Sequence, residues 1–178
     1  MEKSVDQAAF RGAMSRFASG VTVVSTQHDG VDHAMTASAF TSVSLIPPLV
    51  LVCSNKGSRF HDAVLESRRW AVSVLNEQGR EASAWFAHRG RPLETQFADV
   101  PHSRSPGGLA LLDDALAWLE CETEAEHDGG DHLILVGRVT WADFRADTDD
   151  PLLYYRSHYG SIVRQDESEK TAYRGIAP

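Results

Sequence analysis

The clearest regularity in the chain is a two-residue alternation in its last third. In "ALAWLECETEAEH", Ala117, Leu119, Cys121, Thr123 and Ala125 alternate with Trp118, Glu120, Glu122, Glu124 and Glu126. Successive strand side chains point to opposite faces, so this segment predicts a strand whose glutamate row is solvated. Asp128-Gly129-Gly130-Asp131 turns the chain, and "HLILVGRVTWADF" returns as the partner strand. Earlier, "VTVVSTQ" (Val21 to Gln27) is β-branched and strand-like, and His28-Asp29-Gly30 supplies the Asp-Gly hairpin signal. A second arm follows over His33 to Leu45. Pro47 and Pro48 then open the unbroken apolar run "LVLVCS", which reads as a strand buried on both faces.

Helical spacing appears in three places. Ser4 and Gln7 have capping-box spacing ahead of Phe10, Ala13, Met14 and Phe17, predicting an amphipathic helix over 4–18 stopped by Gly20. Ser58 caps a short helix to Glu66, with Phe60, Ala63 and Val64 on its apolar side. After the strand "WAVSVLN", Gln78 to His88 is helical, with Ala82, Trp85 and Phe86 on one face. Arg91 to Arg104 is polar and punctuated by proline, so it reads as a mobile or partner-facing excursion. Tyr154 to Val163 adds a last aromatic segment. Together these elements predict a mainly β domain, an antiparallel barrel with helical insertions. It spans 1–166, followed by a polar tail at 167–178.

One arm is too thin for an ordinary core strand. In "MTASAFTS", Thr36, Ser38 and Phe40 share one side and Met35, Ala37 and Ala39 the other, all but Phe40 and Met35 small. A close-packed interior does not leave such space empty, and a planar ligand lying on the strand fills it. An edge strand with a solvated face explains the same residues equally well. The turn "SNKGSRF" is more specific. Asn55, Lys56, Gly57, Ser58 and Arg59 lead into a helix start, where unpaired amides and the helix dipole favour an anion. It is neither a GxxxxGK[ST] nor a GxGxxG loop, and alone it is also an ordinary capped turn.

The composition sharpens this reading. The 178 residues carry 17 basic and 25 acidic side chains, a formal net charge of −8. An acidic surface makes nucleic acid and anionic membrane poor partners, and any anionic ligand needs a local set of donors. The two cysteines, Cys53 and Cys121, form no CxxC pair, which suits a reducing compartment and no metal site. With no apolar signal core at the N-terminus, the expectation is a cytoplasmic chain. No Ser-His-Asp order, HExxH or carboxylate pair marks hydrolytic chemistry. His132 opens a strand as a capping residue or a guide to a bound ring. In "YYRSHYG", Arg156, His158 and Tyr159 belong to an aromatic strand that closes a barrel or stacks a nucleotide.

Five segments in order resemble a known family: "FASGVTVVST", "AMTASAFTSVSLIPPLVLVCSNKGS", "WAVSVLNEQG", "GDHLILVGRV" and "PLLYYRSHYG". From about Phe10 to Arg164 the chain resembles the short-chain flavin reductases, the reductase components of two-component flavin monooxygenases, which have the FMN-binding split-barrel fold. The resemblance implies an NAD(P)H-dependent reductase passing hydride from NADH or NADPH to FMN or FAD for a separate oxygenase component. It places the flavin ring against Thr36, Ala37, Ser38 and Ala39, with Ser42 nearby, and along Cys53, Ser54 and Asn55. Ser58 and Arg59 take the phosphate, and Phe86 approaches from its helix. His132, Arg156, His158 and Tyr159 fall where the nicotinamide is received, His132 also as the positioning residue at the reacting rings. A homodimer is implied, because the pocket of this fold lies at a subunit interface. The alternatives on the same fold are a ferric reductase, an oxidase or a non-catalytic flavin-binding protein.

Overall fold

A computed structural model of the chain describes residues 5–146 and 149–163. The first elements are α1 (Gln7–Met14), β1 (Ser19–Gly20), β2 (Thr22–His28), β3 (Val31–Ala37), β4 (Phe40–Leu45) and β5 (Pro48–Asn55). Next come α2 (Arg59–Ser67), β6 (Arg69–Leu75), a 3-10 turn at Glu77–Gly79 and α3 (Arg80–Ala87). The remainder is strand: β7 (His102–Arg104), β8 (Ala110–Leu112), β9 (Ala115–Gly129), β10 (His132–Phe144), β11 (Leu153–Tyr155) and β12 (His158–Gly160).

Seven strands form one antiparallel sheet in the order β3-β2-β6-β9-β10-β5-β4. Asp29 and Gly30, both at positive φ (49° and 76°), make the tight β2–β3 turn that Asp-Gly predicted. The sheet wraps around a core shared by its two halves. Val24 and Ala37 from β2 and β3 pack with Val50 and Val52 from β5, Phe60 and Val64 from α2, and Trp70, Cys121 and Leu135. β2 is buried on both faces. While Val24 enters that core, Val23 enters a second cluster with Phe86, Phe97, Ala110 and Leu112 beneath α3. The hydroxyls interleaved in β2 are satisfied by main-chain oxygens: Thr22 Oγ1 donates to Ala37 O at 2.8 Å and Thr26 Oγ1 to Arg69 O at 2.6 Å. The architecture is therefore mainly β and antiparallel with few helices. Among the described residues no ladder joins the two edge strands β3 and β4, so a hydrogen-bond-closed barrel is not formed.

Several expectations change. The arm His33 to Leu45 is two strands, broken at Ser38 and Ala39, where Ala39 O accepts from Cys53 N at 3.1 Å. The predicted facing of Ser38 and Ala39 therefore does not hold. α1 is shorter and is capped by Asp6, whose carboxylate accepts from Ala9 N; Ser4 lies outside the described residues, as does the tail at 167–178. No residue of α1 is buried. The 91–104 segment is no free excursion: Gln96 and Phe97 are buried and β7 pairs with β8.

Glu120 also departs from its glutamate row. It is buried, bonded to Arg69 Nη2 at 2.8 Å and to Gly107 N at 2.9 Å. Burial pushes its pKa up, but the bonds from Ser105, Arg69 and Gly107 and the Arg69 charge outweigh it, and the carboxyl stays below its ordinary range. A depressed carboxyl stabilises the fold above its unfolded pKa, and that contribution disappears as pH falls through the folded value. Glu120→Gln should therefore lower Tm most near neutral pH, with the difference from wild type closing below about pH 4.3; thermal melts across pH check this.

A bulge in β10 lies between Val136 and Gly137, beside the fully buried Trp70. A Cβ on Gly137 would stand 2.3 Å from Trp70 Cζ2. Gly137→Ala is expected to cost about 1–3 kcal/mol, read as a lower urea midpoint.

Candidate functional site

β5 ends at Asn55, and the next few residues bind one another. Asn55 Oδ1 accepts from Gly57 N at 2.9 Å, Asn55 O accepts from Ser58 N at 3.0 Å, and Ser58 Oγ caps α2 by accepting from His61 N at 3.2 Å. The turn thus needs no outside partner to hold its shape. The amides of Arg59 and Phe60, in the first turn of α2, have no intrahelical acceptor, and the dipole of α2 adds to them. Lys56 is spent elsewhere. Its ammonium pairs with Asp128 and its amide donates to Asp131 O at 3.1 Å, fastening the turn to the β9–β10 hairpin. Arg59 remains at the mouth, its Nη2 donating to Arg91 O at 2.7 Å.

This turn borders a groove made of two adjoining cavities, of about 580 and 470 Å³, that share Met35, Thr36, Asn55 and His132. One lies between β3, the turn and the segment after α3; the other runs along Ala37, Ser38, Ala39, Cys53 and Ile134. The groove collects cations in an acidic protein: Arg59, Arg89 and Arg91 all line it. Arg89 has no hydrogen-bond or ion-pair partner among the described residues. Arg91 is its opposite. Its Nε donates to Gln96 Oε1 (3.0 Å) and its Nη1 to Phe86 O (3.0 Å) and His88 O (2.8 Å). Its Nη2 donates to Ala34 O on β3, and the guanidinium lies 5.3 Å from the Phe86 ring centroid. Burial, with Arg59 close by, lowers its pKa; the surrounding oxygens compensate for the lost hydration.

His33 Nδ1, on the groove wall, is buried without a partner among the described residues, and burial lowers that imidazole's pKa. Ser54 Oγ is buried without a partner as well. Burial likewise pushes the Cys53 thiol up, so it stays a neutral, protonated wall. His132 opens β10 opposite Asn55, with its Nδ1 2.7 Å from Asp131 Oδ1. A proton on Nδ1 donates there and leaves Nε2 free to accept. Thr36 Oγ1 donates to Ser83 O at 2.6 Å, so toward the groove its hydroxyl offers lone pairs only.

Of the residues singled out from sequence, Thr36, Ala37, Ser38, Ala39, Cys53, Asn55, Ser58, Arg59, Phe86 and His132 all line this groove. Ser42 does not: it is exposed on β4, opposite Val50. Ser54 alternates away from Cys53 and Asn55 and is fully buried. Arg156, His158 and Tyr159 sit on a separate three-stranded sheet, β1-β11-β12, and do not line the groove of their own chain. Tyr159 OH is 2.8 Å from Ser83 Oγ on α3, and Arg80 lies over its ring. Sequence reasoning missed His33, His88, Arg89, Gly90 and Arg91. The sign was available in "HRGR", three basic or titratable residues around a glycine of φ 89° in an acidic chain.

Residues 14–163 match the family described as flavin reductase like domain. The chain is 36% identical over 172 residues to the flavin-dependent monooxygenase reductase subunit HsaB of Mycobacterium tuberculosis, covering 96% of this chain and 88% of that protein. Among solved structures, BorF, the flavin reductase component of a bacterial two-component tryptophan halogenase, superposes with a TM-score of 0.84. It is 40% identical, over 90% of this chain and all (100%) of that one. The NADH:FAD oxidoreductase SgcE6 of Streptomyces globisporus, in complex with NAD and FAD fragments, gives 0.82 at 32% identity, covering 92% and 95%.

The Arg91 anchor has a measurable consequence. Arg91→Lys leaves several of its acceptors unfilled, so amide hydrogen exchange over residues 86–97 should rise about tenfold or more while the β9–β10 hairpin keeps its protection.

Proposed function

Because the chain belongs to the flavin reductase like family, we propose that it takes hydride from NADH to reduce FMN or FAD and releases the reduced flavin to a separate oxygenase component. The observation that carries this reading is the groove itself: a wall stripped of bulk from Ala37 to Ala39, running into a self-bonded turn at a helix start with unpaired amides. A flat ring with an anionic tail fits such a shape. The orphaned His33 Nδ1 and the unpartnered Arg89 are the polar groups that a ligand would satisfy. The relatives support the two substrates by what they are named for.

Bound flavin supplies the redox chemistry, accepting hydride when the nicotinamide ring stacks on it. The chain's own residues have simpler tasks. Ser58, the Arg59 and Phe60 amides, Arg59 and Arg89 bind the phosphate. Thr36 accepts from a ring N–H, because its own proton goes to Ser83 O. Cys53 and Ile134 give an apolar wall that keeps water off one face, and His132 with Asn55 orients what lies above it. Hydride transfer itself requires no acid–base pair.

The wrapped sheet with its open β3–β4 seam is the split barrel, and the protein is a homodimer. What supports the dimer is apolar surface that the described residues leave exposed: Phe10 on α1 is 60% exposed and Phe17 just after it 74%, and Leu45 at the end of β4 is 89% and Ile46 93% exposed. Such an assembly also lets Arg156, His158 and Tyr159 approach a partner's groove, which they do not reach in their own chain.

Purified protein mixed anaerobically with NADH and excess FMN or FAD should bleach many equivalents of flavin. One equivalent bound and never reduced would point to a storage protein instead, and turnover only with ferric iron to a ferric reductase. Ser58→Asp with Arg59→Glu should weaken flavin binding by about 100-fold or more with unchanged circular dichroism. Light scattering should give a dimer mass, reduced toward monomer by Phe10→Asp with Phe17→Asp.

A further inference from the structure

β3 is an edge strand of the sheet, and two carbonyls on its open side are claimed by side chains. Gln96 Nε2 donates to Asp32 O at 2.7 Å, and Arg91 Nη2 donates to Ala34 O. Gln96 is 1% exposed and its Oε1 accepts from Arg91 Nε at 3.0 Å, so the two residues grip the edge together. Behind them, Arg91 Nη1 donates to the Phe86 and His88 carbonyls at the end of α3. His88 to Arg91 is a turn with Gly90 at φ 89°, and the Arg91 fork holds its first carbonyl. Arg89, unpartnered among the described residues, stands at the tip of that turn. The Arg91 carbonyl accepts from Arg59 Nη2 at 2.7 Å.

Both cations left for a ligand are thus placed by a third, whose donors are spent on the protein itself. Like charges gathered without an anion repel, and burial together with Arg59 lowers the Arg91 pKa. That cost is met when the chain folds, so an arriving phosphate finds its donors already assembled. We propose that Arg91 is a positioning residue for the phosphate end of the groove, holding Arg59 by its carbonyl and Arg89 by the turn it closes. The proposal rests on the flavin reading of the groove. It also divides the ligand into two ends. The wall from Ala37 to Ala39, with Cys53, lies on the second cavity, which Arg91 does not line. A ring seated there is indifferent to Arg91; a phosphate at the turn before α2 is not.

Arg91→Lys tests this, because it keeps the positive charge and gives up the planar fork. Dissociation constants are measured by fluorescence for FMN and for riboflavin, which has the same ring and no phosphate. The wild type is expected to bind FMN about tenfold or more tightly than riboflavin. In the variant FMN weakens about tenfold while riboflavin stays within about twofold, so most of the preference disappears. Added to Arg59→Ala with Arg89→Ala, the same change should cost FMN nothing further, since the groups it acts through are gone. Should Arg91→Lys fail to fold, Gly90→Ala asks the same question at the turn. Nothing lies within 4 Å of a Cβ added there, but φ 89° strains any side chain. An equal loss of both ligands overturns the proposal and makes Arg91 a support of the ring wall. So does an unchanged FMN affinity, a full further loss in the combined variant, or a wild type that holds riboflavin as tightly as FMN. If neither ligand binds the wild type, the flavin reading itself falls, a result distinct from all the others.

Discussion

A guanidinium withdrawn from water holds the far side of the groove together. Arg91 spends its donors on Gln96, on the carbonyls of Phe86 and His88 at the end of α3, and on Ala34 of β3. Three parts of the chain that share no strand pairing thereby meet at one cation. Its own carbonyl then accepts from Arg59, the cation at the turn opposite. The two walls of the groove are thus bridged by one short chain of bonds. A part-buried Arg is held by the acceptors that replace its lost water, and losing them loosens the segment they tie down. The loop from His88 to Arg91 is fixed by these bonds.

That constraint bears on how an acidic protein holds an anion. With a formal net charge of −8, the surface as a whole repels what the groove attracts. The turn after β5 satisfies its own oxygens through Asn55 and Ser58, Lys56 is diverted to Asp128, and Arg91 is locked. What remains for a ligand is a small group of donors, the first amides of α2 with Arg59 and Arg89. A site so divided between donors fixed for structure and donors left for a guest would hold an anion without becoming a permanent trap. That suits a protein whose product must leave.

The parts legible in the sequence are those decided within a few residues. The Asp29-Gly30 turn, the Ser58 cap and the long β9–β10 hairpin each depend on neighbours in the chain, and each appears as expected. Ten groove residues were recovered because they cluster around one thin strand and one turn. What was missed depends on partners far along the chain. Glu120 looks like one more solvated glutamate until Arg69 and Gly107 arrive from other segments. Arg91 looks like the start of a polar excursion until Ala34 and Gln96 surround it. α1 carries an amphipathic pattern that no described residue buries, and periodicity cannot say what would cover that face.

Thr36 shows how the remaining parts connect. Its hydroxyl proton goes to the Ser83 carbonyl on α3, and the Ser83 hydroxyl meets Tyr159 on β12. The groove wall, the helix behind it and the small terminal sheet are therefore joined by two hydrogen bonds through a single residue, itself fully buried. Arg156 N, in the same hairpin as Tyr159, donates to Ser15 O at the end of α1. The exposed apolar helix and the ligand-facing threonine thus lie at opposite ends of one continuous set of contacts. Any second body that settles on α1 bears on the hairpin, and through Tyr159 and Ser83 on the lone pairs that Thr36 presents to the groove. A body on α1 and a ligand on Thr36 would for that reason be physically linked, through residues as far apart in the chain as Thr36 and Tyr159.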